Sequence, residues 1–474
     1  MAVWLLIGAA LAAVCVAAPL RWAAAAMAFT LPMSGTAAMM LGPDPLLLPM
    51  VCALGFLGRI AFSLLIPEMR AQFLHIVRTD WLLLAFVAYC ALSGIFNPRF
   101  FANATYVNPQ DPGPLQPLGP WSVELPQVIY LIIGAAIYMG LRWAILRVGL
   151  KSILDALIWQ AIAFGAIGLA QAIGGVAGFT VPLDWIVNNE GGAIMSLVYV
   201  QGGFVRVSSV FLESSACAAW AAGATGFIYG IYINRILPHL TFPLLCGLGF
   251  MMLVSTSSTA YAGLAAIGAL ALVYAVLDPE RGRRERGIIL IVAFGLVATM
   301  ALLVIFAADN SGVLGRFRQM VLDFTVNKAQ SDSAIERGSW ARQSVQNAID
   351  THFMGVGYGA ARSSGLFYQL IGTIGAPGLA LFALAFGPIA LRAFHRVRTG
   401  EDAVAAAGAF GMITAFLTLS ISGTEMGMSN LFWVLAAIGN APLKERHAML
   451  QRQAQEQSSA QEAGATAGTA PAPA

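Results

Sequence analysis

LPQVIYLIIGAAIYMGLRWAIL, residues 125–146, is followed by RVGLK (147–151) and then by SILDALIWQAIAFGAIGLAQAIGGVAG, residues 152–178. Each outer run exceeds the about 20 mostly apolar residues that a helix needs to cross the bilayer core. Lipid offers no partner to a backbone N–H or C=O, so such a run crosses as a helix that pairs them internally. The short basic link, with Arg142, Arg147 and Lys151 in or beside it, then joins two antiparallel spans on one side of the membrane.

Outward from this pair the same pattern recurs. Apolar segments of spanning length run about 2–19, 22–40, 45–66, 80–96, 125–146, 152–178, 210–233, 240–255, 260–277, 288–307, 367–391, 404–422 and 427–441. Those at 240–255 and 427–441 are short enough to be half-helices or re-entrant. The chain is 58% hydrophobic and only 10% charged, with a mean hydropathy of +0.76. Soluble domains carry about 25% charged residues, which excludes a conventional soluble fold. The expected architecture is an all-α polytopic membrane protein of about 12–13 transmembrane helices. It forms a single transmembrane domain over 1–441, with a largely disordered cytoplasmic tail over 442–474 that is rich in Gln, Ala, Ser, Thr and Pro. The apolar start, Met1 to Leu20, lacks a positive leading region and reads as a retained first span rather than a signal peptide. No internal repeat is visible. All five cysteines (Cys15, Cys52, Cys90, Cys217, Cys246) lie in apolar runs and read as small core residues.

The basic residues set the orientation. Arg21, Arg59, Arg70, Arg78, Arg142, Arg147, Lys151, Arg235, the Arg281–Arg286 cluster, Arg392, Arg396, Arg398, Lys444, Arg446 and Arg452 fall on one side, 18 of the 26 Lys and Arg residues. Positive loops stay cytoplasmic, so the C-terminus is inside and an odd span count puts the N-terminus outside. The outer, periplasmic face then carries three loops, about 97–124, 179–209 and 308–366. In the first, Pro98, Pro109, Pro112, Pro114, Pro117 and Pro120 favour extended chain.

Cations on that face run against the bias. Arg99, Arg316, Arg318 and Lys328 read as solvated or gripping lipid phosphates. Arg206, Arg337, Arg342 and Arg362 have richer settings. Arg206 opens Arg206-Val-Ser-Ser-Val-Phe-Leu-Glu213, where Ser208 or Ser209 can cap the next helix and make its N-terminus an anion site. Glu213 falls in the first turns of that helix, just within the apolar zone, where an ionisable residue is costly. It is either a functional carboxylate or a structural partner of Arg206. In the third loop, Ser333-Ala-Ile-Glu336 fits a capping box and predicts a helix to about Ile349. Arg337, Ala341 and Ser344 share one face, with Trp340 beside them, and the small residues leave space for a ligand to reach the guanidinium. Gly355, Gly357 and Gly359 then alternate, allowing tight turns and close approach of a substrate. His352 reads as a surface histidine. Guanidinium groups bind pyrophosphate bidentately, which suits a lipid-pyrophosphate head group. No Asp-x-Asp pair or His cluster occurs in these loops, so no metal or cofactor is expected, and nothing points to nucleic acid.

Three stretches resemble the O-antigen ligase and polymerase superfamily, especially the Wzy-type exopolysaccharide polymerases. They are Arg206 through Phe211-Leu-Glu213-Ser-Ser-Ala, the break Ser255-Thr-Ser-Ser-Thr259-Ala, and Arg337-Gly-Ser-Trp340 through Gly355-Val-Gly357-Tyr-Gly359 to Phe367–Gly378. The resemblance covers about residues 200–390. It implies a GT-C-like, inverting, metal-independent glycosyltransferase of the bacterial inner membrane that polymerises undecaprenyl-pyrophosphate-linked oligosaccharides at the periplasmic face during exopolysaccharide biosynthesis. Arg206 and Arg337, with Arg342 and Arg362, would hold the donor pyrophosphate, and Glu213 would take the acceptor proton or orient an arginine. Trp340 and the three glycines would line the substrate. A chain-length regulator and export machinery are the implied protein partners. Many ligases carry an arginine where this chain has Thr259, and a histidine or asparagine near Gly365, where it has Arg362-Ser-Ser. Both departures favour a polymerase over a ligase acting on lipid A-core. A lipid-linked glycan flippase, or a non-catalytic assembly partner, is the alternative of another class.

Overall fold

The computed structural model describes residues 2–41, 44–109, 113–123, 125–177, 179, 181–189, 200–201, 204–205, 207–255, 257–277, 332–399, 402–422 and 431–467. In chain order the helices are α1 (Ala2–Ala17), α2 (Leu20–Thr30), α3 (Leu48–Ser63), α4 (Pro67–Thr79), α5 (Trp81–Phe100), α6 (Leu125–Val148), α7 (Lys151–Ala177), α8 (Ser214–Ile233), α9 (Pro238–Val254), α10 (Ser258–Leu277), α11 (Asp332–Asp350), α12 (Leu366–Thr399), α13 (Ala403–Ser422), α14 (Leu431–Gly439) and α15 (Leu443–Ala467). Three antiparallel strand pairs lie in the connections: β1 (Ala37–Leu41) with β2 (Asp44–Leu47), β3 (Tyr106–Val107) with β4 (Gln116–Pro117), and β5 (Val200–Gln201) with β6 (Phe204–Val205).

The protein is a multi-pass helical membrane protein. Among the described residues seven helices are long and apolar enough to cross a bilayer (α5, α6, α7, α8, α10, α12 and α13), or eight if the bent pair α3–α4 is one span. The other expected spans are shorter or lie elsewhere. α1 and α9 are apolar helices below full spanning length, α14 has nine residues, and 288–307 lies outside the described residues. The expected span 22–40 is corrected: α2 stops at Thr30 and the chain continues into β1. Pro32 follows, which cannot continue a helical hydrogen-bond ladder. Gly35 sits where a Cβ would press on the backbone of Val210 and Phe211. The tail is corrected too: α15 carries helix through Ala467, because its Gln, Ala and Glu residues are good helix formers. The proline-rich first loop departs from extended chain at Pro98, since α5 continues through it to Phe100, whereas Pro117 lies in the extended strand β4. Of the cysteines, Cys15, Cys52, Cys90 and Cys217 are buried, whereas Cys246 on α9 is exposed.

Small residues set the packing, as expected where helices meet without water to drive them together. α8 and α13 lie antiparallel, with Gly223 against Ala415, Gly226 against Thr414 and Gly230 against Ala407. Every residue of α14 is buried. Its Trp433 occupies space that a Cβ at Gly134 of α6 would close.

At one end of the bundle lies a buried ionic knot. Asp80, between α4 and α5, is ion-paired to Arg142 of α6 and to Arg392 of α12, the latter at 2.7 Å. Tyr138 Oη donates to the same carboxylate (3.0 Å). Arg142 Nε also donates to the Asn440 carbonyl (2.9 Å), Arg392 Nε donates to Asn440 Oδ1 (3.0 Å), and Arg396 binds the Gly439 carbonyl (3.1 Å). Arg142 is therefore not a loop cation, as the basic-residue pattern suggested, but a core residue, 4% exposed. The remaining ends alternate: α5, α7, α9 and α13 run away from this basic end, while α6, α8, α10 and α12 return to it.

Candidate functional site

The opposite end gathers the chain segments that carry the outer loops. α5 begins at the ionic knot and ends beside the glycine loop. α12 runs antiparallel to it, with Phe86 packed edge-on to Phe382 and Phe386 (5.5 and 5.7 Å between centroids). α12 is broken at Gly375, whose φ of 65° and ψ of −167° leave the helical region. That break frees backbone groups for a neighbour, and the loop after α11 takes them. Val356 N–H donates to Gly372 O (3.0 Å), Gly357 N–H to Thr373 O (2.7 Å), and Ala376 N–H to Phe353 O (2.8 Å). Asn97 Nδ2 donates to the carbonyls of Met354 (3.0 Å) and Gly355 (2.9 Å), and Tyr89 Oη donates to that of Ile374 (3.0 Å). The loop is thus knitted between two helices.

This arrangement gives two of the three glycines a packing role. Gly355, Gly357 and Gly359 are all buried with positive φ (78°, 109° and 82°). A Cβ on Gly355 would collide with the Thr373 backbone, and one on Gly357 with Ser93 and Pro98. For Gly355 and Gly357 the close approach is made by α12 and α5 respectively, not by a substrate.

α11 spans Asp332–Asp350, so Ser333 lies inside the helix rather than at its cap. It is held to the first loop by Gln343, whose Nε2 donates to Tyr106 O (2.8 Å), and by Asn347, whose amide lies 3.1 Å from Thr105 Oγ. Ser344 is buried, and a Cβ on Gly372 of α12 would lie 2.8 Å from its own Cβ. Ser344 is therefore small because a helix approaches it, and it leaves no open space for a ligand. Arg337, two turns earlier on that face, is half-buried, with no hydrogen bond or ion pair to the described residues. Trp340 stands one turn from it, and the Arg362 guanidinium lies 4.4 Å above the indole ring. The Arg362 backbone N–H donates to Asn108 O (3.0 Å), fixing where the side chain starts. The structure thus brings Arg337, Trp340 and Arg362 into one group. Arg342 does not join it: it is exposed, bonds back to Gly338 O (3.3 Å), and points roughly 140° round the helix from Arg337.

Glu213 is the N-cap residue of α8, not a residue of its first turns. It is exposed, and Ser215 Oγ donates to its carboxylate (2.9 Å). Ser208 and Ser209 do not cap that helix. Both backbone N–H groups donate to Gln171 Oε1 on α7 (3.1 and 2.6 Å), and Ser209 Oγ donates to Phe164 O (2.8 Å). α8 starts where α13 ends, and Gly365 lies against the Ser420 and Ile421 carbonyls of α13. Glu213 accordingly shares an end of the bundle with Arg362. Arg206, Arg316, Arg318 and Lys328 lie outside the described residues.

The structure adds groups that sequence reasoning missed. Among the described residues the Ser363 hydroxyl and Gln369 Oε1, just after Arg362, are buried without a hydrogen-bond partner, and so is the Thr259 hydroxyl at the head of α10. Buried polar atoms are normally paired, and further unpaired ones, Trp143 Nε1, Ser152 Oγ and Arg446 Nε, lie at the basic end. Nothing in the local sequence distinguishes these side chains from packed ones. Among the described residues no three His, Cys, Asp or Glu side chains stand close enough to hold a metal ion. No protein-family model matches the chain, and no curated protein matches it in sequence.

Proposed function

We propose that this chain is a membrane-embedded glycosyltransferase that joins oligosaccharide repeat units carried on undecaprenyl pyrophosphate. The observation that carries this reading is the stack of Arg362 on Trp340, one helical turn from the half-buried Arg337. The indole face holds the planar guanidinium against it, which fixes where this cation stands. A second cation beside it fits a diphosphate better than a single carboxylate.

In the reaction, an acceptor sugar hydroxyl attacks the anomeric carbon of the donor glycan. The new glycosidic C–O bond forms as the bond to pyrophosphate breaks, and undecaprenyl pyrophosphate departs with the electron pair. Arg337 and Arg362 stabilise that developing charge. The acceptor proton passes to a carboxylate, for which Glu213 stands at the same end of the bundle. The loop knitted between α5 and α12 fixes the position of Arg362, and Gly355 and Gly357 serve this purpose rather than touching sugar. On this reading the basic end faces the cytoplasm and the loop end the periplasm of a bacterial inner membrane.

The test is incubation of the purified protein with its lipid-linked repeat unit. A ladder of longer glycans is expected from wild type and none from Arg337→Ala of equal thermal stability. A wild-type preparation that makes no ladder but transfers glycan to lipid A-core acceptors would show a ligase. Movement of the lipid-linked unit across vesicles, with no new bond, would show a transporter.

A further inference from the structure

Among the described residues, α4 is an apolar-faced helix at the basic end that breaks the up-and-down pattern. α3 ends at Ser63, and after a short turn α4 leaves at 119° to it. With α3 along the membrane normal, that angle leaves α4, about 20 Å long, within roughly 30° of the membrane plane, near the bilayer surface. At 3.6 residues per turn its side chains fall into three strips. Met69, Gln72, Phe73, Ile76 and Val77 face the protein: Ile76 is buried, and Gln72 accepts from Arg147 (3.2 Å). Glu68, His75 and Thr79 form a polar strip on the side of α15, where His75 stands 4.0 Å from Glu445.

The third strip faces away from the protein. It consists of Pro67, Ala71 and Leu74, bordered by Arg70 and closed by Arg78, and all five are exposed. The turn leading into it adds Phe62 and Leu65, 73% and 77% exposed, and Trp81 stands exposed just beyond it. Neither the Arg70 nor the Arg78 guanidinium has a hydrogen bond or ion pair to the described residues, and neither the strip nor its borders carry an acidic residue.

We propose that α4 is a binding element for anionic phospholipids. An apolar strip at this depth enters the region where acyl chains meet headgroups, and long arginine side chains beside it rise to the phosphates. The two cations are unbalanced on their strip, so a headgroup with net negative charge complements them. A zwitterionic headgroup brings an ammonium that they repel. Arg70 and Arg78 stand two turns apart, about 12 Å, so each holds its own headgroup rather than sharing one.

The full chain, purified in neutral detergent and stripped of lipid, is offered phosphatidylglycerol or phosphatidylcholine and read by native mass spectrometry. Wild type is expected to favour phosphatidylglycerol, and Arg70→Gln/Arg78→Gln to lose roughly thirtyfold of that preference at unchanged melting temperature. Arg70→Lys/Arg78→Lys, which keeps the charge, should retain most of it. An undiminished preference in the glutamine pair overturns the proposal. Should that pair fail to fold, a wild-type preference that is flat as salt is raised overturns it instead, because paired surface charges are screened.

Discussion

Arg392 of α12 and Asp80 at the head of α5 form a 2.7 Å ion pair at the end of the molecule farthest from the glycine loop. The same two helices meet again through Phe86 and, at their other ends, through Tyr89, Asn97 and the loop carbonyls. α5 and α12 are therefore registered at both ends, and the loop that presents Arg362 is built on their frame. The buried carboxylate is the shared counter-charge of both guanidiniums, so its loss leaves each without its ion pair. That relation gives the first of four expectations.

Asp80→Ala should destabilise the protein by about 3–5 kcal/mol, because it strands the buried Arg142 without its carboxylate, while the more exposed Arg392 keeps access to water. Tyr138→Phe removes a single hydrogen bond from the same carboxylate and should cost about 1 kcal/mol. Thermal unfolding in detergent measures both. Equal melting of Asp80→Ala and wild type would show that the knot does not hold the bundle together.

Gly375→Ala and Gly387→Ala, both on α12, should act in opposite directions. A Cβ at Gly375 meets the Phe353 and Met354 backbone at positive φ, whereas one at Gly387 meets nothing within 4 Å. The first should cost at least about 1–3 kcal/mol from backbone strain and contact. The second should be neutral or gain up to about 1 kcal/mol from helix propensity. Folded yield and melting temperature read the contrast.

Arg362→Lys and Trp340→Ala should each lower glycan product formation by about tenfold to a hundredfold, the range for losing a charge-assisted contact. Lysine retains the charge but neither the planar stack nor the fork. Arg342→Ala should stay within about twofold of wild type, since Arg342 points away from the group. Initial rates on one lipid-linked substrate separate the three.

Ser363→Ala should not lower the stability of the substrate-free protein and is expected to raise it by up to about 1 kcal/mol, as it removes an orphaned buried hydroxyl. The same change should weaken substrate binding if that hydroxyl meets a polar ligand group. Melting temperature and apparent KM, measured on one preparation, decide whether the two effects diverge.

The sequence by itself determined that this is a helical membrane protein and placed most of its long helices. Apolar run length is a local property, and lipid forces each run to pair its own backbone groups. It also located α11 within a residue or so, from the Ser333–Glu336 capping-box pattern, although Ser333 itself lies inside the helix. Residues 22–40 misled because their hydropathy is high throughout, while the decisive facts are Pro32 and the approach of Val210 to Gly35, the second being a contact far along the chain. Only the tertiary structure decided that Arg142 is a core residue, since its partners Asp80 and Asn440 lie 62 and 298 positions away in sequence. The same holds for the site. Arg337 and Trp340 share a helix and were legible together, but Arg362 reaches that indole only because the loop is knitted into a break in α12. Gly355 and Gly357 looked like substrate contacts for the same reason that they are packing contacts: lacking a Cβ, they admit whatever comes close, and the fold brings helices there.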